Sequence, residues 1–300
     1  MENNMKKPLI VITGPTASGK TALSIETAHK IGGEIVNADS MQIYKYMDIG
    51  TAKPTIGERD GIPHYLIDEI EPTENFSVAQ YCEMAREYID LIHKKGKIPI
   101  LVGGTGLYID SVVYNIKYGE GGADENYRST LNDLADKYGN EHIYKMLEEI
   151  DLECAEKLHI ADRRRIIRAL EVFHTTGETM TEQKRKSRLV PTTYETRMFA
   201  TNMDRDILYQ RINKRVDIML EMGLVKEVEN LLKMGISENT TAMQGIGYKE
   251  IIAYLNGMVT LEEAVEQIKQ GSRRYAKRQL TWFRRNKDIK WINQLESIEK

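Results

Sequence analysis

Apolar positions fall in two rhythms along this chain. The runs Leu9–Ile12 and Ile98–Val102 are short and unbroken, as in strands buried on both faces, and Glu34–Ala38 carries a third strand pattern. Helical spacing separates them: Ala22, Leu23, Ile25 and Ala28 follow the first run, and Ser77–Lys95 repeats at a helical period with Ser77 placed as N-cap. Alternating strands and helices predict a parallel sheet covered on both faces. From about Lys117 the rhythm changes. "YGEGGAD" reads as a linker, and Asp124–Lys186 as helices without strand signals. Arg197–Thr201 returns to a strand pattern. Helices follow near Asp204–Met222, Leu224–Met234, Tyr248–Asn256 and Leu261–Arg284, then a short strand at Ile289–Ile292.

The expected fold class is therefore α/β, a P-loop NTPase-like parallel sheet core with a helical insertion domain. The core takes residues 1–116 and 196–300, and the insertion takes 117–195. In such sheets ligands bind at the carboxyl ends of the strands. The segments Gly14–Thr21, Asn37–Gln42 and Val102–Tyr108 all fall at such ends, so they should converge on one site.

Chemistry enters with the first of these. "GPTASGKT" fits G-x-x-x-x-G-K-[ST] through Gly14, Gly19, Lys20 and Thr21, between a predicted strand and a predicted helix. Gly14, Pro15, Thr16, Ala17, Ser18, Gly19, Lys20 and Thr21 are the candidate phosphate site. Their backbone amides and the helix N-terminus suit an anion. Lys20 adds a point charge, and the Thr21 hydroxyl is a ligand for Mg2+. ATP-binding motors, kinases, GTPases and transferases all use such loops. The acid usual at the end of a neighbouring strand is missing, since "IPILV" runs into Gly103-Gly104-Thr105-Gly106. The acid stands instead at Asp39, where it can take a proton from an incoming nucleophile.

Composition narrows the class without choosing within it. The chain has 300 residues, 29% charged and 41% hydrophobic, with a net charge of −3 and a pI near 6.1, an ordinary soluble balance. No apolar run approaches the ~20 residues of a membrane helix, so no membrane partner is expected. Met1–Lys7 lacks a signal-peptide core. Cys82 and Cys154 show no metal spacing and read as reduced, which places the protein in the cytoplasm. The six histidines show no ligand spacing either. The near-neutral balance hides three basic clusters, Arg163–Arg168, Lys184–Arg188 and Arg273–Lys287, which suit nucleic acid. No exposed apolar stripe is evident, so a monomer is expected.

Six segments stand in order over nearly the whole chain: "GPTASGKT", "NADSMQIYKYMDIGTAKP", "PHYLIDEIEPTENFSVAQY", "ILVGGTGLYI", "DRRRIIRALEVFHTTGE" and "RRYAKRQLTWFR". Together they resemble tRNA dimethylallyltransferases, the bacterial tRNA isopentenyltransferase family. The resemblance implies transfer of a dimethylallyl group from dimethylallyl diphosphate to N6 of the adenosine 3′ of the anticodon, with Mg2+ assisting. The phosphate loop would then hold the donor. Asp39 resembles the general base, Thr105 the threonine that orients the reacting groups, and Arg215 the diphosphate-binding arginine, with Arg211 one turn away. Ser40, Met41 and Gln42 resemble the segment that meets the target base. Arg128, the stretch Arg163, Arg164, Arg165, Ile166 and Ile167, and Gln244, Gly245, Gly247 and Tyr248 fall where the family touches the anticodon stem-loop. No zinc-finger tail is present, so no metal beyond Mg2+ is expected. The competing reading is a P-loop small-molecule or nucleotide kinase, with Asp39 holding the acceptor.

Overall fold

The computed structural model describes residues 6–116 and 124–293. In chain order, β1 (Lys7–Thr13), α1 (Lys20–Ile31), β2 (Gly33–Asn37), β3 (His64–Tyr65), α2 (Val78–Lys94), β4 (Ile98–Gly103) and α3 (Gly106–Val113) come first. Five helices follow: α4 (Glu125–Tyr138), α5 (Asn140–Ile150), α6 (Leu152–Ala155), α7 (Arg163–Thr176) and α8 (Met180–Leu189). The chain ends with β5 (Tyr194–Asn202), α9 (Arg205–Glu221), α10 (Leu224–Lys233), α11 (Tyr248–Leu255), α12 (Leu261–Phe283) and β6 (Ile289–Asn293). Two compact units result: Met1–Val113 with Thr193–Lys300, and Tyr114–Thr192. The linker expected at 118–124 lies outside the described residues except for Asp124, which caps α4 by accepting from the Tyr127 amide.

The first unit is built on one six-stranded parallel sheet in the order β3-β2-β4-β1-β5-β6. Its central strands are the unbroken apolar runs, because both faces are covered. Ile10, Ile12, Ile35 and Ile100 pack against Ile25, Ala28 and Ile31 of α1. Burying each of these isoleucines contributes roughly 1.5–3 kcal/mol. On α2, Ser77 forms the expected cap: its hydroxyl accepts from the Gln80 amide, and Gln80 reaches back to the Ser77 amide.

β5 begins earlier than its sequence pattern suggests. Tyr194 and Glu195, assigned to the insertion on sequence, pair with Lys7 and Pro8 of β1. Ladder hydrogen bonds extend the strand through Glu195 and Arg197, where charged residues break the apolar pattern. Pairing with the interior strand β1, not side-chain alternation, sets where this strand starts.

The second unit is a helical cluster. Leu131 and Ala135 of α4, Ile143 and Leu147 of α5, Ala155 of α6 and Ile166, Ile167 and Leu170 of α7 form its core. Ile166 and Ile167, expected at an RNA contact, are instead 0% and 5% exposed. The helical period turns them inward while their arginine neighbours stay out. Among the described residues, no helix is long and apolar enough to cross a membrane.

Candidate functional site

The phosphate loop joins β1 to α1. Gly14 sits at φ +138°, and a Cβ there would fall 2.1 Å from Oγ1 of Thr201 on β5. Ala17 is left-handed at φ 62° and buried. Ser18 and Thr201 share a hydrogen bond of 2.5 Å, and the Ser18 hydroxyl also donates to Pro15 O. Ala17 packs with Leu208 and Ile212 of α9 and Ala276 of α12. The loop is thus clamped from outside its own sequence. α1 starts at Gly19 with no side-chain cap, so its first amides are left for an anion.

A cavity of about 360 Å³ opens over this loop, within the range of small-ligand sites. Thr16–Ala22 line one wall, Asp39 and Gln42 another, and Gly103, Gly104, Arg215, Tyr275, Gln279 and Glu58 complete it. The ends of β1, β2 and β4 therefore meet as expected, because these three strands are neighbours in the sheet.

Positive charge gathers at the loop. Lys20 Nζ donates to Pro15 O at 2.7 Å. Burial and the nearby Arg215 guanidinium pull its ammonium down to about 7, against the opposing pull of Asp39. Arg215 reaches from α9 to donate to the Thr16 hydroxyl at 3.3 Å. Burial and Arg211 lower the Arg215 pKa, and Asp39 and Glu58 raise it. Cations held this close favour an anionic ligand.

Asp39 lies across the cavity in a tight turn. Its Oδ1 accepts from the Met41 amide at 2.9 Å and the Gln42 amide at 3.4 Å. This Asx-type turn fixes the carboxylate and leaves Oδ2 for a proton. The Thr105 hydroxyl accepts from the Ser40 amide at 3.1 Å and approaches Ser40 Oγ at 3.4 Å, while the Thr105 amide donates to Ala38 O. Thr105 thus supports the turn that carries Asp39. Gln42 donates through Nε2 to Thr51 O and Ala52 O.

Two wall residues were not singled out on sequence. Gln279 accepts from the Thr16 amide and donates to Gly104 O, both at 2.9 Å. Tyr275 stands one turn earlier on α12. Burial and the Asp39 carboxylate push its phenol up to about 12, with the Thr105 and Gln279 side chains pulling the other way. A signal was present: Gln279 interrupts the apolar stripe Ala264, Ile268, Ala276, Phe283, and a polar residue on a buried face needs partners.

The remaining candidates separate by accessibility. Gln244 is exposed, while Tyr248 is 1% exposed with its hydroxyl on Glu227. The Tyr248 side chain is therefore a packing element rather than an outward contact, because its ring covers Gly50. A Cβ on Gly245 would lie 2.6 Å from Met41 Cε, so the Gln244–Tyr248 segment backs the Asp39 turn. Gly247 caps α11, its amide donating to Glu250. In the second unit, Arg128 makes a two-pronged ion pair with the fully buried Glu171 and also meets Glu125. Arg163 is engaged by Asn140 and Asp136. Arg164 and Arg165 are exposed, and Arg165 lies 3.4 Å from Asp162.

Comparison with known proteins identifies the architecture. The model of the IPP transferase family matches residues 42–286. The tRNA dimethylallyltransferase of Acetivibrio thermocellus is 54% identical over 294 residues, 97% of this chain and 94% of that protein. That of a Thermoanaerobacter species is 52% identical over 95% of this chain and 91% of its own. Among solved structures, the tRNA isopentenylpyrophosphate transferase of Bacillus halodurans superposes with a TM-score of 0.72 at 45% identity, covering 96% of this chain and 90% of its own. A eukaryotic dimethylallyltransferase acting on tRNA gives 0.80 at 32% identity, with 96% and 74% covered. With its parallel sheet, its phosphate loop and this likeness over nearly its full length, the chain belongs to the IPP transferase family.

Proposed function

We propose that this chain transfers a dimethylallyl group from dimethylallyl diphosphate to N6 of the adenosine on the 3′ side of the anticodon in tRNA. The observation that carries this reading is the opposition of Asp39, in a turn braced by Thr105, to the phosphate loop across one cavity. The loop amides, Lys20 and Arg215 would bind the diphosphate, and the Asp39 turn would receive the adenine edge. The amine nitrogen attacks C1 of the dimethylallyl group. The C1–O bond breaks, pyrophosphate leaves with the electron pair, and the amine proton passes to Asp39. Diphosphate leaves an allylic carbon readily once its charge is neutralised, so fixed cations at the loop matter more than a strong base.

The residues fit a magnesium ion. Thr21 supplies a hydroxyl at the cavity wall, and Asp39 and Glu58 line the same space. A magnesium ion there would take its remaining ligands from phosphate and water. When bound it would offset the charge of the departing diphosphate.

Exposed basic residues support an RNA partner: Arg164 and Arg165 on α7, and Arg274, Lys277 and Arg278 on α12. A base in the anticodon loop leaves its stack at lower cost than one in a duplex. Free thiols at Cys82 and Cys154 agree with work in the cytoplasm. The test is transfer of labelled dimethylallyl from its diphosphate to unmodified tRNA with Mg2+. Label on the adenosine beside the anticodon is the expected result. Phosphate transfer from ATP to a small acceptor, with no label on tRNA, would overturn it.

A further inference from the structure

Gln279 stands at an unusual place in the site. It is 5% exposed, comes from α12, and bonds to main-chain groups of two segments far away in sequence. Its Oε1 takes the Thr16 amide in the phosphate loop. Its Nε2 gives a proton to Gly104 O, at the end of β4. Gly104 is glycine for a steric reason, since a Cβ there would lie 2.1 Å from that nitrogen. The next residue, Thr105, holds the Ser40 amide, and Ser40 follows Asp39. A path of three hydrogen bonds, joined by the Gly104–Thr105 and Asp39–Ser40 peptide links, thus runs from Thr16 through Gln279 to the Asp39 turn. Tyr275, one helical turn before Gln279, lies against both Thr105 and Gln279.

A carboxamide is the group this position requires. One end must accept and the other must donate, at a fixed separation, with no net charge beside a phosphate site. Ionised glutamate lacks the donor and adds charge, lysine lacks the acceptor and adds charge, and methionine lacks the donor.

We infer that Gln279 is a positioning residue that couples the two halves of the site, so that filling the phosphate loop orders the turn carrying Asp39. The inference rests on the reading of Gly14–Thr21 as the donor loop. Gln279 need not touch either substrate. It holds the distance between the loop that grips the leaving group and the turn that receives the nucleophile. Misplacing reacting groups by about 1 Å can cost on the order of 100-fold in rate.

The test uses inorganic diphosphate with Mg2+ as probe and amide hydrogen exchange as readout, on the full chain. In the parent protein, diphosphate should slow exchange both in the loop and at Ser40 and Thr105. In Gln279→Met it should slow exchange in the loop alone, with diphosphate affinity within about threefold of the parent and kcat about 10- to 100-fold lower. Gln279→Glu provides a second arm: its carboxyl can donate to Gly104 O only when protonated. Its kcat relative to the parent should therefore recover as pH falls, a response that simple loosening would not give. A Gln279→Met chain that transmits the diphosphate response unchanged, or keeps kcat within twofold, overturns the inference. So does a parent that binds diphosphate without slowing exchange at Ser40 and Thr105, and the donor loop then stands alone. A parent that binds no diphosphate overturns the donor-loop reading and the coupling with it.

Discussion

The Tyr248 hydroxyl donates to Oε1 of Glu227 at 2.7 Å. The same carboxylate accepts three consecutive amides, Asp48 at 2.9 Å, Ile49 at 2.7 Å and Gly50 at 3.0 Å. A residue of α10 thereby anchors the loop that follows the Asp39 turn, under the cover of Tyr248. The two substitutions here should differ in cost. Tyr248→Phe removes one hydrogen bond and should lower stability by about 1 kcal/mol, whereas Glu227→Ala strands several donors and should cost about 3 kcal/mol. Urea unfolding measures both, and equal costs would mean that water replaces the carboxylate at the three amides.

Asp39→Asn keeps an oxygen for the Met41 and Gln42 amides and removes only the basic oxygen. The expected loss is in kcat, by about 100- to 10,000-fold, with the donor KM nearly unchanged. Steady-state kinetics with dimethylallyl diphosphate decide it. A rise in KM at constant kcat would make Asp39 a binding residue.

Lys20 titrates near 7 before any anion arrives. A bound diphosphate favours the charged ammonium and raises that pKa. Above pH 7, binding should therefore take up a proton, and affinity should weaken as pH rises. Below pH 6 this dependence should vanish. Calorimetry in buffers of different ionisation heat reads the proton directly, and Lys20→Met should abolish the uptake.

Glu34, at the opposite end of β2 from Asp39, is a separate test of stability. Burial would raise its pKa, but hydrogen bonds from Lys97, Tyr65 and Lys95 hold it at about 2. Its folded pKa is depressed, so its contribution is complete above the ordinary carboxylate range and is lost as pH falls toward 2. Glu34→Gln should destabilise the protein by about 1–2 kcal/mol at pH 7, less than for a fully enclosed pair because both lysines reach solvent. The gap between parent and variant should close as pH falls below about 4.5. A gap independent of pH would assign the effect to packing.

Arginines of the second unit should divide by burial of their partners. Arg128→Ala leaves Glu171 buried with Arg168 as its remaining cation, and should cost about 2–3 kcal/mol of stability. Arg164→Ala, at an exposed position, should change stability by less than about 0.5 kcal/mol. It should instead lower the salt dependence of tRNA binding by about one phosphate contact. Filter binding across a salt series separates the two, and an unaltered slope for Arg164→Ala would remove it from the RNA footprint.

The sheet core was legible because its central strands are buried on both faces, which writes them as apolar runs such as Leu9–Ile12. β3 was not, since His64 and Tyr65 are only two residues and carry no alternation. The phosphate loop and Asp39 were legible from local spelling and from their places after strands. Gln279 and Tyr275 were not singled out: a polar residue in the apolar stripe of α12 signals that Gln279 needs partners, but those partners lie more than 150 residues away and the local sequence does not say which they are. For Tyr248 and Ile166 the sequence did not show the side-chain direction, which packing turns inward.

Both hydrogen bonds of Gln279 end on peptide groups, so the link demands a glycine at Gly104 but no particular side chain at Thr16. Geometry and selectivity are thereby written in different parts of the molecule. Thr16 or Gln42 can change, altering which ligand fits, while the spacing of the two walls stays as it was. A site arranged in this way can drift toward new substrates without first dismantling its own frame.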